Sequence, residues 1–248
     1  NFTEGAKMLK KNSTAKDIYT AVRIKDLNNQ LKNIQVFLKN QYKQSIESEN
    51  RTYIQQILFD NYYVIDNKIK LLLKNKSKTI LYTSNEYIPQ LGEIILSNCV
   101  NSSLPDTTLI CDSIAKIQKH RYVTNSEFEY IQWSFSYAII FEIAKIMHEN
   151  DKDNNNYLNL ISLLTKSDTI DIEQIISERN PLEMLYSSEP CGVYAKMDEL
   201  TRRIYRERTS YSSKQMKVEE LELGQKFLSD TTKAFNDHLP QRESHVGF

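Results

Sequence analysis

Only five glycines and five prolines punctuate the 248 residues of this chain. Glycine supplies the positive-φ positions of tight turns, and proline presets others. A β-sandwich or a doubly wound sheet of this length would need many more of both. Their scarcity predicts long helices with few breaks, and the apolar spacing agrees, recurring at three and four residues rather than two. No internal repeat and no strand longer than a few residues can be read. The expectation is an all-α, multi-helix soluble module with short connections. A chain of this length can bury a sizeable core without disulfides or metals. It divides into an N-terminal helical part, 1–150, and a C-terminal helical part, 151–248, or forms one continuous domain.

Residues 1–14 are polar, and a first helix is expected from about Ala15 to Gln44, with Ile18, Val22, Leu27, Leu31, Ile34 and Leu38 near one face. Glu47-Ser48-Glu49-Asn50 forms the joint to a second helix, which Asn50 or Thr52 can cap. That helix carries Ile54, Ile57, Leu58, Tyr62, Ile65, Ile69, Leu72 and Leu73 and ends in the basic run Lys74–Lys78. Two shorter helices follow, about Glu86–Cys99 and Asp106–His120, with Pro89 and Pro105 in or near their first turns. Thr124 and Glu127 form a capping box for a helix from Asn125 to Glu149. After a polar break at Asn150–Asn156 come helices near Tyr157–Thr165, Ile170–Glu178 and Leu182–Ser187, the last started by Pro181. Glu189-Pro190-Cys191-Gly192 reads as a turn. Then come a charged helix, Tyr194–Arg208, and a final one capped by Ser212 or Ser213 and reaching Phe235.

Charge and cysteine usage narrow the class of function. Formal net charge is zero, whereas nucleic-acid binders carry a basic excess to replace counterions; no nucleic-acid partner is expected. Cys99, Cys111 and Cys191 are an odd set without metal-ligand spacing, which suits free thiols in a reducing compartment. The most apolar stretch, Trp133–Met147, contains Glu142 and Lys145 and falls short of the roughly 20 residues that span a bilayer. It reads as a helix buried on most sides, and no membrane-spanning segment is expected. No signal peptide opens the chain. It starts at Asn1 rather than Met, as a piece of a longer polypeptide would. The abundant Asn and Lys fit an A+T-rich coding sequence, so triplets such as Asn12-Ser13-Thr14 carry little weight as glycosylation sites.

The residues offer no catalytic, cofactor or metal site. Asp151-Lys152-Asp153-Asn154-Asn155 places oxygens as a calcium loop does. It then has Asn156 where the sharp turn needs Gly and Ser162 where a bidentate Glu should close the site. An Asp-x-Asp nucleotide-sugar site would need a strand end, and no sheet is expected. A solvated loop remains. His120, His148, His238 and His245 are scattered, none at ligand spacing from another His or a Cys; His120 and His148 suit helix C-termini. Phosphate loops, nucleophile elbows and zinc motifs are absent. The richest segment is Tyr194–Arg208, where Asp198 with Arg202 and Glu199 with Arg203 are i,i+4 pairs. It reads as a solvated, self-paired helix or as a docking face for a phosphate or an acidic partner.

That segment also resembles a known pattern. Glu189-Pro190-Cys191-Gly192-Val193-Tyr194-Ala195-Lys196-Met197-Asp198, followed by Thr201-Arg202 and Tyr205-Arg206, looks like the D-P-x-G-x-Y-x-x-M-D-F-x-T-R-x-x-Y-R of the N-terminal region of cyclic β-1,2-glucan synthases and related large glycosyltransferases. Phe59–Ile65 resembles the family's L-D-N-x-x-x-I helix, and Tyr157–Ile176 its Leu-rich stretch. His245-Val246-Gly247-Phe248 resembles the H-V-G-x-Y-L that leads into the first membrane spans. The departures are Glu189 for Asp, Cys191 for a small residue and Glu199 for Phe. The resemblance implies a membrane-proximal accessory module on the cytoplasmic side of the inner membrane. Its partners would be the membrane domain and the UDP-glucose-using transferase domain of the same polypeptide. It places no catalytic residue here, and the implied docking face comprises Tyr194, Met197, Asp198, Arg202, Tyr205 and Arg206. The alternative is a self-contained helical protein-interaction module.

Overall fold

The computed structural model describes residues 24–75, 88–102, 104–149, 156–240 and 244–246. Among them are eleven α-helices and no strand. They are α1 (Ile24–Glu47), α2 (Tyr53–Asn75), α3 (Ile88–Cys99), α4 (Thr107–Gln118), α5 (Asn125–Glu129), α6 (Ile131–Glu149), α7 (Tyr157–Lys166), α8 (Ile172–Arg179), α9 (Pro181–Ser187), α10 (Glu199–Met216) and α11 (Glu220–Asn236). Short 3-10 turns occupy Ser167–Thr169 and Tyr194–Lys196. No described helix is long and apolar enough to cross a membrane. The expected start of the first helix, the basic run beyond Asn75 and the Asp151–Asn155 loop lie outside the described residues.

The chain forms two compact units, but the division is not at residue 150. One unit holds the chain to Asp106 together with Ile131–Ile170, and the other holds Thr107–Tyr130 together with Asp171–Phe248. The expected helix from Asn125 to Glu149 is therefore two helices. The predicted capping box is present, with Thr124 Oγ1 accepting from the Glu127 amide and Glu127 receiving the Thr124 amide. The helix it starts stops at Tyr130, where φ −108° and ψ 11° depart from helical geometry and the chain passes from one unit to the other.

In the first unit, α1 and α2 pack together, and α3 packs on α6. Leu27, Leu31, Ile34 and Leu38 meet the buried Ile54, Ile57, Leu58, Tyr62, Ile65, Ile69 and Leu72, the faces the spacing predicts. The Glu47–Asn50 joint is a break before α2, capped by a reciprocal pair: the Gln55 amide donates to Thr52 Oγ1 (3.3 Å), and the Thr52 amide to Gln55 Oε1 (2.9 Å). Helix α6 is buried on most sides, as its composition predicts. Its polar atoms are satisfied inside: Trp133 Nε1 donates to Leu72 O (3.3 Å) and Tyr137 OH to Gln30 Oε1 (2.6 Å). Gly92 sits against the α6 backbone; a Cβ there would lie 2.0 Å from Ser134 O.

The second unit holds the charged segment, and here two boundaries differ from expectation. The helix expected over Tyr194–Arg208 is interrupted: after the 3-10 turn, Met197 and Asp198 are extended. Asp198 accepts from the Thr201 amide (2.9 Å) and Thr201 Oγ1 (2.8 Å), which makes it the N-cap of α10 rather than a helical residue. Helix α10 then runs through Ser212 and Ser213, the expected caps of the last helix, to Met216. It ends where Lys217 turns left-handed at φ 56°. Buried Ser213 donates to Ser210 O (2.9 Å) instead of capping, and the N-cap of α11 is Glu219.

Candidate functional site

Asn180 begins the construction of the site. Its Oδ1 accepts from the Leu182 (3.0 Å) and Glu183 (3.3 Å) amides, and Pro181 takes the first helical position, where its missing N–H is harmless. Glu183 is thereby fixed in the first turn of α9, the end of a helix that favours negative charge. Its side chain, 2% exposed, accepts from Arg202 Nη1 (2.6 Å), from Tyr194 OH (2.7 Å) and from Arg206 Nη1. Arg206 is wholly enclosed. Its Nη2 also donates to Glu199 (2.5 Å) and lies 3.7 Å from Glu129 Oε1. Arg203 reaches Glu129 (3.1 Å) and Glu207 (2.9 Å).

Burial works against the Arg206 charge, but the Glu199 hydrogen bond and the surrounding acids outweigh it and hold the guanidinium above the ordinary arginine range. Burial and Glu183 push the Tyr194 phenol up. Glu129 is raised by burial, against the pull of Arg203 and Arg206. The cluster is an ion network within one unit: Arg202, Arg203 and Arg206 all pair with its carboxylates, while the buried Nε atoms of Arg202 and Arg206 have no hydrogen-bond partner among the described residues.

A second junction centres on Glu189, whose carboxylate is enclosed. It accepts from the Tyr194 and Val246 amides, the latter at 3.1 Å, and faces His245 Nδ1 at 3.0 and 3.2 Å. Burial would raise its pKa, but the two amides and His245 outweigh it and hold the carboxyl below its usual range. His245 Nε2 lies 3.2 Å from Tyr205 OH. The Glu189–Gly192 turn is closed by the Gly192 amide on Glu189 O (3.2 Å), and Gly192 takes φ +61°, where glycine is favoured. The half-buried Cys191 stands in this turn. One ligand atom each from Glu189, Cys191 and His245 lie within 4.8 Å of one another. Beneath, Leu182, Tyr186 and Tyr194 form an apolar cluster against which Leu185, Met197, Tyr205 and Val246 pack.

The six residues of the expected docking face are thus distributed differently. Tyr194, Met197 and Tyr205 do assemble apolar surface together, but it faces inward. Tyr194 and Arg206 are fully buried, so neither side chain is presented outward in this structure. Arg206 is enclosed because three acids and a phenol converge on it. Arg202 keeps 24% of its side chain exposed, and Asp198 is exposed as a cap. The expected Asp198–Arg202 and Glu199–Arg203 pairs are replaced: Arg202 pairs with Glu183 and Glu199 (3.2 Å), Arg203 with Glu129 and Glu207. The outward large apolar residues of α10 are Leu200, Ile204, Tyr211 and Met216, exposed by 70%, 41%, 57% and 56%.

Glu183, Glu129 and the Glu189–His245 pair escaped the sequence reading. Glu183 stands three residues after a helix-capping Asn, a weak signal. Glu189 and His245 lie 56 residues apart with nothing local to join them. No protein family, curated protein or solved structure matches this chain.

Proposed function

We propose that this chain is a helical accessory module of a cyclic β-1,2-glucan synthase-like membrane glycosyltransferase. It works on the cytoplasmic side of the inner membrane, where it packs on the transferase domain of the same polypeptide and positions it. The chemistry, glucosyl transfer from UDP-glucose, belongs to that domain, and this module contributes a rigid support. The observation that supports the reading is the Glu189 junction. Two of the stretches that carry the resemblance, Glu189–Arg206 and His245-Val246, meet there through the Val246 amide and the His245 ring. A carboxylate at the position of the family's Asp makes both contacts. The wholly buried Arg206 suits a rigid support, because its ion pairs with Glu183 and Glu199 hold geometry inside the unit.

The reading frame beyond Phe248 tests the proposal. An apolar run of about 20 residues followed by a transferase domain is expected. The exposed Leu200, Ile204 and Tyr211 of α10 are the face such a module would turn to the transferase domain; a frame that stops at Phe248 favours a self-contained interaction module that offers the same face to a separate partner.

A further inference from the structure

We propose that Glu189, Cys191 and His245 form a binding site for a zinc-class divalent transition metal ion. The site is independent of the glycosyltransferase reading. It combines the three donor types that zinc accepts, a thiolate sulfur, an imidazole nitrogen and a carboxylate oxygen. The donors come from a rigid turn and from a segment 56 residues away in sequence, and they converge to within 4.8 Å of one another. Tetrahedral ligands at ordinary zinc distances stand about 3.4–3.6 Å apart. The Glu189 oxygens already lie 3.0 and 3.2 Å from His245 Nδ1, so an ion needs only small side-chain shifts to replace the contact between them.

The surroundings match what holds metal ligands in place. His245 coordinating through Nδ1 would carry its proton on Nε2, where Tyr205 OH stands at 3.2 Å to accept it. The Tyr194 and Val246 amides orient the Glu189 carboxylate. Gly192 at φ +61° sets the turn that carries the Cys191 thiol. On binding, Cys191 releases its proton to solvent, and the ion takes its place. Three protein ligands leave one tetrahedral position for water or for a group from outside the chain. Cys99 and Cys111 are buried elsewhere and take no part.

Cobalt(II) titrated into the reduced, chelator-treated 248-residue protein tests this, because thiolate coordination gives an intense near-ultraviolet charge-transfer band. One equivalent of cobalt should produce the band, and zinc should abolish it by displacement. Cys191→Ser and His245→Gln, each shown folded by circular dichroism, should lose the band or reduce it sharply. Zinc should raise the Tm of the wild type and leave that of Cys191→Ser unchanged. Tyr205→Phe should keep the band while weakening zinc binding about 10- to 100-fold. Absence of the band in the wild type, or an equal band in Cys191→Ser, overturns the proposal and leaves the cluster as a hydrogen-bonded junction only.

Discussion

Arg206 donates to Glu183 with both side chains shut away from solvent, at 0% and 2% exposure. An isolated charge at such depth would be prohibitive, so each depends on the other and on Glu199, Arg202 and Tyr194 around them. Arg206→Ala removes a buried cation and leaves Glu183 short of a partner. It should destabilise the protein by about 3–5 kcal/mol, as breaking a buried pair does. Arg202→Ala, at a side chain 24% exposed, should cost less, about 1–2 kcal/mol. Urea unfolding of both variants checks the order. Equal, small losses would show that the pair is not enclosed.

Gly92 of α3 packs directly against the backbone of α6. A Cβ would fall 2.0 Å from Ser134 O and 2.8 Å from the Phe135 amide nitrogen, and backbone atoms cannot rotate aside. Gly92→Ala should therefore destabilise by about 2 kcal/mol or more, at the upper end of overpacking effects. Thermal unfolding measures it. A neutral result would mean that the two helices do not touch there.

Much of this architecture was legible in the sequence. The buried faces of α1 and α2 follow the three- and four-residue spacing, and Thr124, Thr52 and Pro181 announce three helix starts. The misses have a common cause. Asp198 reads as one half of an i,i+4 pair, but a short acidic side chain at a helix start gains more by capping than by reaching Arg202. Ser213 reads as a cap, but it lies on a helix face that packing buries. Arg206 reads as part of an outward docking face because no acid stands three or four residues from it, whereas its main partner, Glu183, lies on another helix. Long-range pairs such as Glu189 with His245 leave no periodic trace.

Gly192 should tolerate little else. At φ +61° it has open space around its Cα, so the penalty for a side chain is conformational rather than steric crowding by neighbours. Gly192→Ala should cost about 1 kcal/mol, and Gly192→Asn less, because Asn reaches the left-handed region more readily. Comparison of the two midpoints in urea checks the order. Equal losses would point to a different turn.

Glu129 sets a pH dependence. Burial holds its pKa above the unfolded value despite Arg203 and Arg206, so the folded state takes up a proton more readily than the unfolded chain. Its contribution to stability is full below the unfolded carboxyl pKa and is lost as pH rises through the raised folded value. Relative to Glu129→Gln, the wild type should gain Tm as pH falls through that window. A difference that shrinks on acidification would show that the arginines, not burial, control the group.

The functional account turns on whether this module supports a transferase. Membranes expressing the full-length reading frame, supplied with radiolabelled UDP-glucose, measure this directly against membranes in which Leu200→Glu and Ile204→Glu charge the outward face of α10. The account predicts glucan synthesis by the wild type and a marked loss in the variant at equal protein levels, with the isolated module still folded. Equal incorporation by both, or none by the wild type, would contradict it.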